Sequence, residues 1–575
     1  MSDEEKRFQG APVSEGIAIG KPYFLGTAPD AEIPQFQIAT GKVEEEIARY
    51  RKALSSSRED LEKLQADLSN LGSLDAMHII GTHIEMLEDP LMTVDVEMRI
   101  RDMRQNTEMA LSLVIDEYKV RFSKTSDHFF QQRLTDVLDL SQRILGHLCF
   151  KKRGHILDIP PNSVVFSQEL APSDTAAAQA SRVSAFVTQL SGGNSHAALI
   201  ARAKGIPLVA SVDMQQIQSL KGKCVIVDGL TGEIIVNPTR ATLRKYQELK
   251  ERLQQNLLLF EEMAHLSAET QDGFDVKVFA NIGSLAECEY LNKTHGVGLF
   301  RSENLFLENP ELFIDEEGQF RIYRELLKQS CGLPVVVRVF DVGGDKPPPR
   351  IPGLFLGGRG IRFLLQNQKL FKMQLRALLR AAPFGDLRIL LPLVCDVNEL
   401  KEVKFLINQI KRELHLQVNV PVGCMIEVPS AILIADILAK EANFFSIGTN
   451  DLIQYALGVD RSQNQDFLPA HPSVIRLLKM TIVEARRHNL PVTICGEIAS
   501  SPIFIPLLLG LGIHQISCSL RFIPQVKWMI RNCTLVESCQ IADLILQMQS
   551  PSEIVKLLME TYRRVMPEGP LFVEA

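Results

Sequence analysis

Phe444-Phe-Ser-Ile-Gly-Thr-Asn-Asp451 is a short apolar run that passes through a glycine into a polar pair. It is too brief for a helix and fits a strand buried on both faces, with its polar residues emerging at the C-terminal end. The same construction recurs on either side. Pro334-Val-Val-Val-Arg338 ends on a guanidinium, Cys424-Met-Ile leads to Glu427, and Pro491-Val-Thr-Ile leads to Cys495. Working outward, strands are expected near residues 276–281, 296–300, 335–341, 387–393, 421–427, 443–448, 491–496 and 514–518, with helical patterns between most of them. Eight such units over roughly 300 residues fit a closed (β/α)8 TIM barrel, with an open doubly wound sheet as the alternative. Barrel chemistry gathers where strands end, and Arg301, Arg338, Glu427, Asn450, Asp451 and Cys495 all stand there. Position alone names no substrate, because this fold hosts many reactions.

The chain has 575 residues, too many for one hydrophobic core. Its 46% hydrophobic and 23% charged content argues against disorder and against a fibre. A net charge of -7 gives no general attraction for nucleic acid or an anionic membrane. The longest uncharged apolar run, Ile503 to Ile513, contains Pro506 and is too short to span a bilayer. Met1-Ser-Asp-Glu-Glu-Lys6 lacks the apolar segment of a secretion signal. The ten cysteines form no Cys-x-x-Cys pair, so neither a zinc ribbon nor a disulfide framework is expected. The expectation is a cytoplasmic protein with no nucleic-acid partner and no direct membrane insertion.

Before the barrel the texture changes twice. Val43, Ile47, Tyr50, Leu54, Leu61, Leu64 and Leu68 place one apolar stripe on a long helix, and helical stretches follow around 74–88, 91–123 and 127–149. Four helices with short connections suggest an antiparallel bundle. Residues 10–27 and 155–237 instead carry short β-branched runs broken by proline and glycine. They form either two small domains or one α/β domain interrupted by the bundle. Thr239 to Ala264 reads as a charged linker helix.

Two strand-end carboxylates, Glu427 and Asp451, are a poor cage for calcium but suit magnesium, which keeps waters and shares its positions with a phosphorylated substrate. Helix capping is the competing role for either one. Arg301, Arg338, Arg359, Arg362 and Arg461 surround the same rim, and converging guanidinium forks suit a small substrate bearing phosphate and carboxylate. Surface ion pairing is the alternative for any single one. No Walker A sequence and no full Gly-x-Gly-x-x-Gly occurs, so nucleotide readings lack a site. His196 follows the glycine-rich turn Ser191-Gly-Gly-Asn-Ser195 and opens a helix whose N–H groups would favour an anion on the imidazole. A neutral imidazole there is a candidate nucleophile, and a plain first-turn histidine is the bland alternative.

Gly192-Gly-Asn-Ser-His196-Ala-Ala-Leu-Ile-Ala-Arg202 resembles the phosphohistidine segment of phosphoenolpyruvate-utilising enzymes. Asn443 to Arg461 resembles that family's second signature. Gly298-Leu-Phe-Arg301-Ser-Glu303, Asp341-Val-Gly-Gly-Asp-Lys346 and Ile494-Cys-Gly-Glu497 extend the similarity over nearly the whole chain. The length leaves no room for the ATP-binding domain of the dikinase relatives, so the resemblance is to the enzyme I branch of bacterial sugar phosphotransferase systems. It implies a phosphohistidine α/β swivel domain at 1–35 plus 150–240 and an inserted four-helix domain docking the carrier protein HPr at 36–149. A linker helix at 241–265 and a phosphoenolpyruvate-binding TIM barrel at 266–575, through which the chain would form a homodimer, complete the arrangement.

By the same resemblance, His196 takes the phosphoryl group of phosphoenolpyruvate on its tele nitrogen and passes it to a histidine of HPr, releasing pyruvate. Arg301, Arg338, Asn450, Asp451 and Arg461 would bind substrate, Glu427 and Asp451 would hold Mg2+, and Cys495 would protonate the enolate. Two departures stand out: a short proline-rich loop, Pro347-Pro-Pro-Arg-Ile-Pro-Gly353, and Gly358 in place of the family's tryptophan before Arg359. A magnesium enolate lyase on the same barrel, and a regulatory docking protein with poor turnover, are the rival readings.

Overall fold

Val335–Arg338 is a fully buried strand whose neighbours on both sides run parallel to it, as a continuous β-branched run requires. In this computed structural model, residues 5–25, 36–70, 74–122, 128–149, 159–168, 170, 171–178, 182–189, 196–214, 217, 224–305, 310–343, 358–459 and 469–565 are described. The strands β9 (Lys277–Ile282), β10 (Val297–Arg301), β11 (Val335–Arg338), β12 (Leu387–Leu391), β13 (Val422–Ile426), β14 (Phe445–Ile447), β15 (Val492–Ile494) and β16 (Gln515–Ser519) pair in chain order. The barrel closes where β16 meets β9 in parallel, Gln515 opposite Lys277 through Ser519 opposite Asn281. The closed barrel is therefore the architecture, not the open sheet.

Alternation along these strands sorts side chains into two sets. Val335 and Val337, Ile389 and Leu391, and Cys424 and Ile426 belong to the large core against the surrounding helices. Leu299, Val336, Leu390, Met425, Phe444 and Cys495 form a separate cluster inside the barrel. Arg301 lies two residues past Leu299, Arg338 two past Val336 and Glu427 two past Met425. A period of two thus carries all three polar side chains to the inner face at the barrel's C-terminal end. Gly423 is required by a close approach: a Cβ there would come within 2.5 Å of the Phe444 ring.

The chain divides by its contacts into Met1–Gln254 and Gln255–Ala575, the second holding the barrel. The first contains β1 (Lys6–Gln9), β2 (Ala11–Ser14), β3 (Ile17–Phe24), β4 (Ser163–Ser167), β5 (Val183–Thr188), β6 (Leu208–Ala210), β7 (Val225–Asp228) and β8 (Glu233–Val236). Their order in one sheet is β1-β8-β7-β3-β4-β5-β6-β2 among the described residues. β3 and β4 are parallel neighbours, yet the helices α1 (Val43–Asn70), α2 (Leu74–Met86), α3 (Val96–Met103), α4 (Thr107–Phe122) and α5 (His128–Cys149) lie between them in the chain. One α/β layer is thus interrupted by a helical insertion.

The stretch 91–123, expected as one helix, is broken. A π-helical turn, Leu91–Asp95, leads into α3, which stops at Arg104 in the left-handed region (φ 52). Gln105 then bridges Gln37, and the Asn106 side chain accepts from the Phe36 N–H at 3.1 Å. The partners that break the helix come from a remote segment, where no local periodicity registers them. α6 (Pro172–Ala177) and α7 (His196–Ala203) anchor the insertion, because Ala176 and Ile200 join the helical core with Ile47, Tyr50, Ile80 and Leu111.

Candidate active site

Arg338 ends β11 buried, where an isolated charge would be prohibitive. Its guanidinium forms an ion pair with Glu303 and lies 3.3 Å from Asp341, with Nη1 3.7 Å from the Met425 sulfur. Burial opposes the charge, but Glu303, Asp341 and Glu427 together outweigh it and hold the guanidinium firmly protonated. The backbone around it is fixed by a buried network. Ser302 Oγ donates to the Arg338 carbonyl at 2.6 Å, and Gln374 Nε2 donates to Ser302 Oγ at 3.0 Å and Tyr323 Oη at 3.1 Å. Gln374 Oε1 accepts from the Phe340 N–H at 3.1 Å.

Asp341 is shared. Its second partner is Arg359, whose Nε and Nη2 donate to the two carboxylate oxygens at 3.2 and 3.1 Å. The other edge of Arg359 meets Asp451, Nη1 to Oδ1 at 3.1 Å and Nη2 to Oδ2 at 3.3 Å. Glu303, Arg338, Asp341, Arg359 and Asp451 thus form one alternating ladder of acid and base, each member no more than 8% exposed. The backbone delivers Arg359 through glycines of positive φ on both sides, Gly358 (74°) and Gly360 (60°), and through a bridge to Gly343.

Glu427 follows β13 and is buried to 1% exposure. Its Oε1 accepts from the Leu393 N–H at 2.7 Å. Burial pushes its carboxyl up to about 8, and the Asp451 and Asp341 carboxylates add to the rise against Arg338. Gly448 gives it room: a Cβ there would stand 2.6 Å from Glu427 Oε2. A carboxyl crowded in this way fits a cation beside it. Among the described residues no group of three His, Cys, Asp or Glu side chains forms a metal cage, so an ion at Glu427 and Asp451 would need further ligands. Magnesium, which keeps waters among its ligands, is a cation that such a partial set suits.

Cys495 follows β15, buried in the barrel interior. Ser446 Oγ donates to its sulfur at 3.2 Å and the thiol donates to the Ile447 carbonyl at 3.4 Å. Burial pushes the thiol up to about 11, with Glu427 adding and Ser446, Arg338 and Arg301 opposing, so it keeps its proton at neutral pH. Asn281 Nδ2 braces this end of the barrel by donating to the Cys495 and Ser517 carbonyls, both at 3.1 Å. Asn450, the second residue of the helix Thr449–Leu457, is locked to Glu497 from both ends, Nδ2 to Oε1 at 3.0 Å and Oδ1 from the Glu497 N–H at 2.8 Å.

Arg301, the last residue of β10, stands exposed in register with Arg338. Arg362 faces away, its guanidinium pairing with Glu399 at 3.8 Å. Arg461, the loop 347–353 and the turn 191–195 lie outside the described residues, while the backbone of His196 is the first residue of α7. The barrel thus brings Arg301, Arg338, Glu427, Asn450, Asp451 and Cys495 to one end. Sequence reasoning passed over Glu303 and Asp341 as site residues, though both lie in quoted motifs just beyond strand-end arginines.

Arginines converging with buried carboxylates at a barrel mouth define an enzyme for a small anionic substrate. Comparison with known families places it more closely. Descriptions of PEP-utilising enzymes match three segments: the N-terminal part over residues 9–133, the mobile domain over 159–232 and the PEP-binding domain over 259–535. The phosphoenolpyruvate-protein phosphotransferase of Bacillus sp. (strain S) is 34% identical over 97% of this chain and 98% of its own. That of Bacillus subtilis (strain 168) is 34% identical over 97% of this chain and 100% of its own. An NMR solution structure of an Enzyme I protein is 33% identical, covering 43% of this chain and 99% of that one at a TM-score of 0.36. The chain belongs to the phosphoenolpyruvate-protein phosphotransferases, within the PEP-utilising enzymes. Among the described residues no helix is long and apolar enough to cross a membrane.

Proposed function

We propose that this chain, in the cytoplasm, transfers the phosphoryl group of phosphoenolpyruvate to its own His196, releasing pyruvate, and then passes it to a histidine of HPr as the first step of sugar uptake by the phosphotransferase system. The observation that carries this reading is the buried ladder beside Glu427 at the barrel's C-terminal end. With three acids to two bases, the ladder fixes Arg338 in position for a substrate bearing phosphate and carboxylate and leaves acidic groups for a cation. Arg301, Arg338 and Arg461 hold the two anionic groups, and Asn450, fixed by Glu497, orients them. Glu427 and Asp451 hold Mg2+, which when bound neutralises charge on the transferring phosphoryl group.

The chain's own residues do the rest. Arg338 keeps its charge and its orientation through Glu303 and Asp341, so the guanidinium is in place before substrate arrives. His196 supplies the nucleophilic imidazole. Cys495 retains its proton until the enolate forms and then delivers it to carbon, its sulfur held by Ser446. The donor site belongs to one unit and His196 to the other, so the two must meet during transfer and His196 must then face HPr. The barrel also forms the homodimer contact in this reading. The test is incubation with Mg2+ and labelled phosphoenolpyruvate. Rapid acid-labile, base-stable labelling that HPr discharges, lost in His196→Ala, is the expected result. Absence of label would leave a lyase, and slow label without discharge a docking protein.

A further inference from the structure

Arg359 is the only side chain in the described ladder that touches both Asp341 and a carboxylate assigned to the metal. Both oxygens of Asp451 accept from it, at 3.1 and 3.3 Å, and the whole group is buried. A divalent ion binding Asp451 needs at least one of those oxygens, and it would also bring two positive charges beside a buried guanidinium. We infer that Arg359 is a built-in counter-cation for Asp451, and that a metal ion binding there must displace it. This rests on the assignment of Glu427 and Asp451 as metal ligands.

Three features support a displaceable contact over a permanent strut. Arg359 holds Asp341 through Nε and Nη2, so losing Asp451 leaves it tethered and still paired. Glycines on both sides, Gly358 and Gly360, give its backbone freedom that a side chain at either position would remove. Tyr455 Oη, 3.5 Å from Nη1, is a second acceptor on the same helix as Asp451. The contact also sets one positive charge between two of the three acids that share this buried space, Asp341 and Asp451 beside Glu427.

The consequence runs against the usual expectation for an active-site arginine. Removing it should strengthen metal binding, because two carboxylates lose a competing positive charge a few ångströms away. The experiment measures Mn2+ binding to the full-length protein without phosphoenolpyruvate, by electron paramagnetic resonance of the free ion. Arg359→Gln should bind Mn2+ about tenfold more tightly than the unaltered chain, the order expected for deleting one nearby charge in a partly screened site. Arg359→Lys keeps the charge but not the fork, so it should fall between the two, and it decides the matter should the Gln variant fail to fold. Glu427→Gln and Asp451→Asn should each weaken binding. If those two weaken it while the Arg359 variants bind equally or more weakly, the counter-cation is overturned and the metal site stands. If Glu427→Gln and Asp451→Asn bind as the unaltered chain does, the metal assignment falls, and this inference with it.

Discussion

Cys495 shows how far a single residue's surroundings go towards fixing its chemistry. Ten cysteines occur, and a buried thiol is most often an inert apolar group. This one follows a barrel strand and stands close enough to Glu427, Arg338 and Arg301 to feel their charges. A residue that only protonates the enolate has no part in P–O cleavage. Cys495→Ala should therefore slow steady-state pyruvate formation at least a hundredfold, the usual scale for a general acid, and leave single-turnover labelling of His196 nearly unchanged. Rapid-quench labelling set beside steady-state turnover in the same variant checks this, and equal losses would mark a structural cysteine. Because the thiol is pushed up to about 11, its thiolate is scarce at neutral pH. Iodoacetamide at pH 8 should modify exposed Cys331 and Cys539 and spare Cys495, as peptide mass mapping would show. The placement of Arg301, Arg338 and Glu427 at strand C-terminal ends was legible in the sequence because each closes or follows an apolar run, whereas their inward parity needed the fold. The ladder was not legible: Glu303 and Arg338 meet only through the pairing of β10 with β11, and Arg359 meets Asp451 from a point 92 positions away in the chain.

Elements were legible where burial is two-sided. Most barrel strands read as largely apolar runs because one face meets helices and the other the barrel interior, and every expected strand is present within a few residues. The helix broken at Arg104 was illegible for the opposite reason, since its stop is set by Gln37 and Phe36 from a remote segment. Junctions between elements are also long-range. A Cβ placed on Gly496, just after β15, would collide with Thr449 Oγ1 at the start of the helix that carries Asn450 and Asp451. Gly496→Ala should thus push that helix away from β15, costing about 1–3 kcal/mol as overpacking does. Thermal unfolding measures the cost. The shift of Asn450 and Asp451 should also weaken phosphoenolpyruvate binding, whereas a purely local effect would lower stability alone.

At the scale of the whole molecule, each of the two units is built on its own apolar clusters. The sheet and helical insertion hold their own apolar clusters within Met1–Gln254, and the barrel holds another beginning at Phe260. The boundary is more subtle than the change in sequence texture near residue 240. Tyr246, on the helix Arg240–Met263, packs with Ile17, Ile226 and Ile235, and its Oη donates to Glu233 at 2.7 Å. A fragment of residues 1–254 keeps that contact, and one ending at 240 exposes those isoleucines. The longer fragment should fold cooperatively, and the shorter should be destabilised by about 2–4 kcal/mol, the scale for losing one large buried side chain; urea unfolding of both compares them. The longer fragment also separates the two half-reactions. It contains His196 but none of Arg301, Arg338, Glu427, Asp451 or Cys495. It should accept phosphate backwards from phospho-HPr and take none from phosphoenolpyruvate with Mg2+. Labelling from phosphoenolpyruvate by residues 1–254 alone would remove the donor site from the barrel. Failure to accept from phospho-HPr, in a fragment whose unfolding is cooperative, would remove His196 as the carrier.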